Sequence, residues 1–264
     1  MIKLSRKNLV IPYALFLALF VVAPLLVILY LSFTDSNGAF TFGNFAKFFG
    51  DPTYITTFLY SLAIAVLTTL LCLLLAYPVA YILARSKWNK KMILVLLFVM
   101  PMWINFVLRI AALRELLNLL GLVGQSTGFL KTVIGMVYDF LPFMILPLYT
   151  TLIKMDKSVL EAASDLGANN MQVFFKAVVP LSLPGIVSGI TMVFMPSMTC
   201  YVVSDVLSER TFEVLGNLIE RNYMDNWNFA SAIAIVLLVI IGVVMLFTYR
   251  FEDHDVNARG GGLW

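Results

Sequence analysis

The sequence predicts an all-α integral membrane protein: six transmembrane helices with kinked spans, and a cytoplasmic loop folded as a helix–turn–helix. Three observations lead there. The 264-residue chain is 61% hydrophobic and only 12% charged, with a mean hydropathy of +0.93, where a soluble domain carries about 25% charge. Six apolar runs are each long enough to cross about 30 Å of hydrocarbon at about 1.5 Å per residue. Between the fourth and fifth runs lies a stretch of small and polar residues, Lys157 to Lys176.

The runs cover 9–33, 58–83, 92–113, 133–153, 183–206 and 229–249, and the length suits one transmembrane domain over 1–264. Lys3, Arg6 and Lys7 precede the first run in the manner of a signal peptide. That run is too long for a signal core and no clear small-residue cleavage site follows, so an uncleaved anchor is expected. Orientation follows the basic residues. Arg85, Lys87, Lys90 and Lys91 follow the second run; Lys154, Lys157 and Lys176 lie between the fourth and fifth; Arg250 and Arg259 follow the sixth. The other loops are poorer in positive charge, so both termini and the Lys157–Lys176 loop are expected in the cytoplasm, as in a multi-pass protein of the cytoplasmic membrane. Pro12, Pro24, Pro78, Pro101, Pro142, Pro147, Pro184 and Pro196 fall in or at the edges of runs. Each removes a helix hydrogen bond, which predicts kinked spans packed around a path.

Composition also excludes functions. Cys72 and Cys200 sit inside apolar runs and imply no disulfide framework. No GxxxxGK[ST] loop occurs, so the chain does not hydrolyse ATP by that route. The net charge of +3 is spread over short loops and points to no nucleic acid. Residues 251–264, ending in RGGGLW, are expected to be a disordered tail.

The loop at 156–178 has helix punctuation. Ser158-Val159-Leu160-Glu161 reads as a capping box starting a short helix that runs to about Leu166. Gly167 stops it in the left-handed conformation. Asn169 or Asn170 caps a second short helix, expected to end before Pro180. Ala162 and Ala163 keep the first helix slim, and Leu160 and Leu166 offer apolar contact. Glu161 could simply cap a helix in a connector, but a bare connector is usually shorter.

EAASDLGANNMQVFFKAVVPLSLPGI resembles the EAA motif of ABC importer permeases, with Glu161, Ala162, Ala163, Gly167 and Pro180 at the motif positions. PMWINFVLRI, VYDFLPFMILPLYTTLIKMDKSVLEAASDLGA and YVVSDVL…GNLIERNY are similar to the spermidine/putrescine permeases of the PotB type, a likeness that runs from the first span to the sixth. The resemblance implies the type I importer permease fold. It makes the loop a coupling helix seated on an ATPase, contacted by Ser158, Leu160, Glu161, Ala162, Ala163, Asp165, Gly167 and Ala168. It implies as partners two copies of an ATP-binding subunit, a second related permease, and an extracytoplasmic polyamine-binding protein. ATP and Mg²⁺ would be used by the ATPase, with no cofactor on this chain. Asp139 departs from the family, where an apolar residue is expected.

A polyamine path needs carboxylates, carbonyls and aromatic faces for its ammonium groups. Tyr201, Ser204 and Asp205 at the outer end of the fifth span are candidates, Tyr201 and Asp205 sharing a helix face one turn above a kink expected at Pro196. Asp205 could instead cap the next segment, and Tyr201 could anchor at the interface. Trp103 and Asn105, after Pro101, either line the path or, for Trp103, pack between helices. Asp139 inside the fourth span either meets substrate or pairs with Arg109. Glu209, Glu213, Glu220 and Asp225 with Arg210 and Arg221 read as a solvated loop, or as one that gathers cations or receives the binding protein. Besides a polyamine importer subunit, a permease for another small substrate and an ion-coupled secondary transporter stay open. The latter would favour midplane carboxylates and inverted repeats. A membrane enzyme lacks a catalytic cluster.

Overall fold

The computed structural model describes residues 6–86, 91–124, 127–208 and 213–260. The helices in chain order are α1 Arg6–Leu17, α2 Ala23–Ser32, α3 Gly43–Gly50, α4 Pro52–Arg85, α5 Lys91–Val99, α6 Phe106–Leu119, α7 Gly128–Lys154, α8 Lys157–Asp165, α9 Asn170–Val173, α10 Val179–Leu181, α11 Leu183–Thr199, α12 Tyr201–Leu207, α13 Leu215–Asp225 and α14 Trp227–Gly260. Ile11–Ser32, Pro52–Arg85, Gly128–Lys154 and Trp227–Leu246 are each long and apolar enough to cross a membrane. Two bent pairs raise the number to as many as six: Met92–Trp103 with Phe106–Leu119, at 97°, and Asn170–Leu181 with Leu183–Thr199, at 64°. The helical membrane architecture expected from composition is the one observed.

Proline acts less often as a kink than the sequence suggests. Pro12, Pro78, Pro142, Pro147 and Pro196 all lie inside helices. Where the helix must give way, it widens. A π-helical turn, Ala18–Val22, precedes Pro24, and a second, Phe174–Val178, precedes Pro180. In each, the next amide reaches five residues back, Ala23 to Ala18 and Val179 to Phe174. This wider turn makes room for the proline ring that would otherwise clash with the carbonyl four residues behind. The expectation that the second loop helix ends before Pro180 is therefore corrected: helical backbone runs through it to Leu181.

The chain divides into two compact units, residues 1–58 with 215–240 and residues 59–214 with 241–264. In the first, the end of α2 is tied to the start of α14: Asn228 Nδ2 donates to the Leu31 carbonyl at 3.1 Å and to Thr34 Oγ1 at 2.9 Å. Phe33 contacts the rings of Phe40, Phe42 and Phe45, and Lys47 lies 4.2 Å from the Phe229 ring centroid.

The second unit is organised on α7, against which α5, α6, α11 and α12 pack. Glycine permits the closest approach. A Cβ on Gly185 would stand 2.6 Å from Thr151 Oγ1 and 2.9 Å from the Pro147 carbonyl. One turn on, a Cβ on Gly189 would strike the Met144 sulfur. Small residues four apart are the membrane route to tight helix contact, because apolar side chains gain nothing from leaving lipid.

Three expected segments differ. The 92–113 run bends by 97° between Met92–Trp103 and Phe106–Leu119, more sharply than a proline kink. Leu215–Asp225 is helical where a solvated loop was expected, with Leu215 and Leu218 buried; Glu209 and Arg210 lie outside the described residues. In the expected disordered tail, 251–260 continues α14, since extending a helix costs far less than starting one; 261–264 lie outside the described residues.

Candidate functional site

The loop between α7 and α11 folds as the punctuated stretch demands, with one correction. The cap of α8 is Asp156, not Ser158: the Ser158 amide donates to Asp156 Oδ1 at 3.0 Å. The helix thus starts one residue before Ser158, and the Ser158–Glu161 capping box does not form. The signal was present. With Asp156 at the cap, Met155 and Leu160 take the two positions of a hydrophobic staple, and both are packed against the core. The Asp156 carboxyl is held below the ordinary aspartate range, first by the Ser158 amide and then by its hydroxyl. The cap contribution is therefore complete above that range and is lost as pH falls through the lowered value.

α8 ends at Asp165 with Leu166 as its cap, and Gly167 takes φ +85°, the left-handed turn expected. Asn169 caps α9 in a reciprocal box. The Gln172 amide donates to Asn169 Oδ1 at 2.8 Å, and the Asn169 amide donates to Gln172 Oε1 at 2.9 Å.

Burial sorts the α8 residues into two sets. Leu160, Ala163 and, after the turn, Ala168 pack against the core. Ser158, Glu161, Ala162, Asp165 and Gly167 are exposed, and Leu166 is 89% exposed. Of the two leucines expected to offer apolar contact, only Leu166 faces outward.

The loop is fastened to the spans. The Phe174 ring stands edge-on to Tyr77 at 5.5 Å and to Tyr81 at 5.4 Å, two rings one turn apart on α4. Tyr77 and Ser182 share a hydrogen bond of 2.7 Å at the α10–α11 corner. A cavity of 280 Å³ is lined by Thr151, Lys154, Met155, Asp156, Val159, Leu181 and Pro184. The segment after α9 thus contacts α4 through Phe174, and the α10–α11 corner contacts α4 through Ser182. Sequence reasoning missed the clamp on Phe174, whose only trace is the tyrosine pair spaced four apart.

The other expected residues separate into two groups. Asp139 pairs with Arg109, and both side chains are buried, at 5% and 9% exposure. Arg109 Nη1 also donates to the Pro101 carbonyl at 2.7 Å. Of the two readings left open for Asp139, the ion pair is the one formed. Asn105 caps α6, accepting from the amides of Val107 and Leu108 at 3.0 and 3.2 Å. Its carboxamide is thus engaged at the helix start. Trp103 is 82% exposed, so it does not pack between helices of this chain.

Tyr201, Ser204 and Asp205 lie together on α12. Ser204 is buried, Tyr201 is 38% exposed and Asp205 is half-buried. The break below them is at Cys200 (ψ 91°), not at Pro196. The helix runs on through Pro196 to Thr199, and the hydroxyls of Ser197 and Thr199 bond the carbonyls of Val193 and Met195 one turn back, a pattern that bends a helix. Among the described residues no group of three or more His, Cys, Asp or Glu is placed to hold a metal.

Comparison with known proteins accords with this geometry. The profile of the family described as "Binding-protein-dependent transport system inner membrane component" matches residues 76–256. The spermidine/putrescine transport system permease protein PotB of Salmonella typhimurium (strain SL1344) is 36% identical over 89% of this chain and 89% of its own. PotB of Escherichia coli (strain K12) is 35% identical over 89% and 93%, and the PotB homolog of Mycoplasma genitalium is 31% identical over 94% and 93%. In fold, a chain of the crystal structure of a bacterial ABC transporter involved in the import of the acidic polysaccharide alginate matches with a TM-score of 0.76 at 14% identity, over 94% of each chain. The chain thus belongs to the family of binding-protein-dependent transport system inner membrane components and is a membrane-spanning permease component, not an enzyme.

Proposed function

We propose that this chain is the permease subunit of an ATP-driven ABC importer that carries polyamines, spermidine or putrescine, into the cell. The observation that carries the substrate class is the 36% identity over 89% of both chains to a spermidine/putrescine permease. The partners are two copies of an ATP-binding subunit that uses ATP and Mg²⁺, a second related permease, and an extracytoplasmic polyamine-binding protein. A solved alginate transporter in complex with a substrate-bound periplasmic protein shares this fold. Both termini and the α8–α9 loop face the cytoplasm, as the lysine and arginine distribution supports.

In this reading Glu161, Ala162, Asp165 and Leu166 meet the ATPase, while Leu160, Ala163 and Ala168 tie the same helix to the spans. Slim exposed residues let another surface approach the backbone of α8, and Leu166 supplies an apolar contact at its end. Tyr201, Ser204 and Asp205 on α12 are the substrate-path candidates. Asp139 is withdrawn from that set because Arg109 already neutralises it.

The test is reconstitution of the chain with its ATPase, second permease and binding protein in liposomes. ATP-dependent spermidine or putrescine uptake is expected. Substrate-stimulated ATP hydrolysis with another small solute and none with polyamines would overturn the substrate. Uptake driven by an ion gradient without ATP would overturn the class. Labelling of a single cysteine at position 164 from outside intact cells, in a background lacking Cys72 and Cys200, would reverse the orientation.

A further inference from the structure

We infer that Arg109 and Asp139 are positioning residues: they hold the third span broken and seat α6 against α12, so that Asp139 acts on transport through the placement of α12 and not by touching the transported molecule. This rests on the chain being a permease but on no particular substrate.

The position of Arg109 is the first clue. It stands in the first turn of α6, where the helix dipole disfavours a cation. Local structure therefore gives no reason for an arginine there. Its reason is tertiary. One guanidinium reaches two acceptors on two other elements: the Pro101 carbonyl, at 2.7 Å, in the tight turn Met100–Trp103, and the carboxylate of Asp139 on α7. A planar fork can serve two acceptors in fixed directions, which a lysine ammonium does with much less definition. The rings of Phe106 and Tyr138 flank it, with centroids at 5.8 and 5.9 Å.

The second clue is charge. Both partners are at least nine-tenths buried. A buried carboxylate that already has its counter-ion offers a transported cation little, whereas removing one partner leaves the other buried without its counter-ion. A cavity of 150 Å³ beside the pair, lined in part by Phe98, Met102 and Pro142, has room for water.

The third clue is what α6 carries. The 97° bend turns α6 away from α5, and α6 then packs against α12. α12 also packs on α7, where Gly135 leaves room for Leu207 and Val203. A connected set of contacts therefore runs from Asp139 through Arg109 and α6 to the helix bearing Tyr201, Ser204 and Asp205.

The test is a double-mutant cycle in the full chain, assembled with its partner subunits: Asp139→Asn, Arg109→Gln, the two together, and Arg109→Lys. The first readout is the Tm of the purified complex, which needs no substrate. Each neutralising single substitution is expected to lower Tm by about 6 °C or more, and the double to recover to within about 2 °C, because a neutral amide pair leaves no stranded charge. Arg109→Lys should fall between. The second readout separates KM from maximal uptake. The singles should lose about tenfold in maximal rate and the double about threefold or less, with KM within about twofold throughout. A double variant of restored Tm whose KM rises about tenfold or whose uptake is abolished would place Asp139 on the transported cation and overturn the inference. Additive Tm losses, or none, would overturn it as well. If the wild-type complex carries no polyamine, the substrate reading fails, while the Tm cycle still decides the role of the pair.

Discussion

Two of the abrupt breaks in helix, at α8–α9 and at α5–α6, are built in opposite ways. At α8–α9 every device is local: Asp156 bonds an amide two residues on, Gly167 supplies a left-handed turn, and Asn169 and Gln172 cap each other. At α5–α6 one device is local, the Asn105 cap, and the other reaches 30 residues along the chain, from Arg109 to Asp139. The first break lies in a loop with one exposed face. The second lies inside an apolar run, with its ions buried. Local devices suit a surface that must present a fixed shape to a partner, since the shape survives whatever the spans do. A long-range ion pair suits a break in the membrane, where an unpaired group is costly and the partner element must be held in place.

The largest expected effect breaks the second device. Asp139→Asn strands the Arg109 guanidinium and should cost about 3–5 kcal/mol, read as thermal denaturation of the complex; a loss indistinguishable from that of an exposed substitution would contradict the contrast. Next comes Gly167→Val. A β-branched side chain in the left-handed region costs about 1–2 kcal/mol. The chain should still insert, but transport and ATPase association should fall, as measured by co-purification. Tyr77→Phe removes only the bond to Ser182 while keeping the ring on Phe174, for about 1 kcal/mol; hydrogen exchange at the α10–α11 corner should rise and at α7 stay unchanged. The smallest pair of effects sharpens the account of the loop. Ser158→Ala should leave the amide protection of α8 nearly unchanged, whereas Asp156→Ala should lower it at neutral pH. Because the Asp156 carboxyl is held below the ordinary aspartate range, the wild type should lose the same protection only as pH falls through that lowered value. Equal losses in the two variants would restore Ser158 as the cap. Glu161→Ala should leave α8 protected and weaken only ATPase association, because the exposed glutamate has no part in the cap.

Sequence alone determined the class of molecule and the shape of the α8–α9 loop. Apolar runs of about 20 residues admit few solutions in lipid, and Gly167 and Asn169 act on amides within a few residues of themselves. Only the tertiary structure decided which prolines matter. Pro142 and Pro147 ride inside α7, while Pro101 marks a 97° bend. A proline removes one bond wherever it falls; whether the chain turns there depends on what else holds the segment, and at Pro101 an arginine held by another helix bonds the proline's own carbonyl. The same holds for Leu160 and Leu166, alike in sequence, of which one packs on the core and the other is 89% exposed. It holds for Asp139, whose two readings stayed open until α6 brought Arg109 to it. Partners that come from distant elements leave no periodicity and no spacing in the chain, because the contact exists only once the helices have packed.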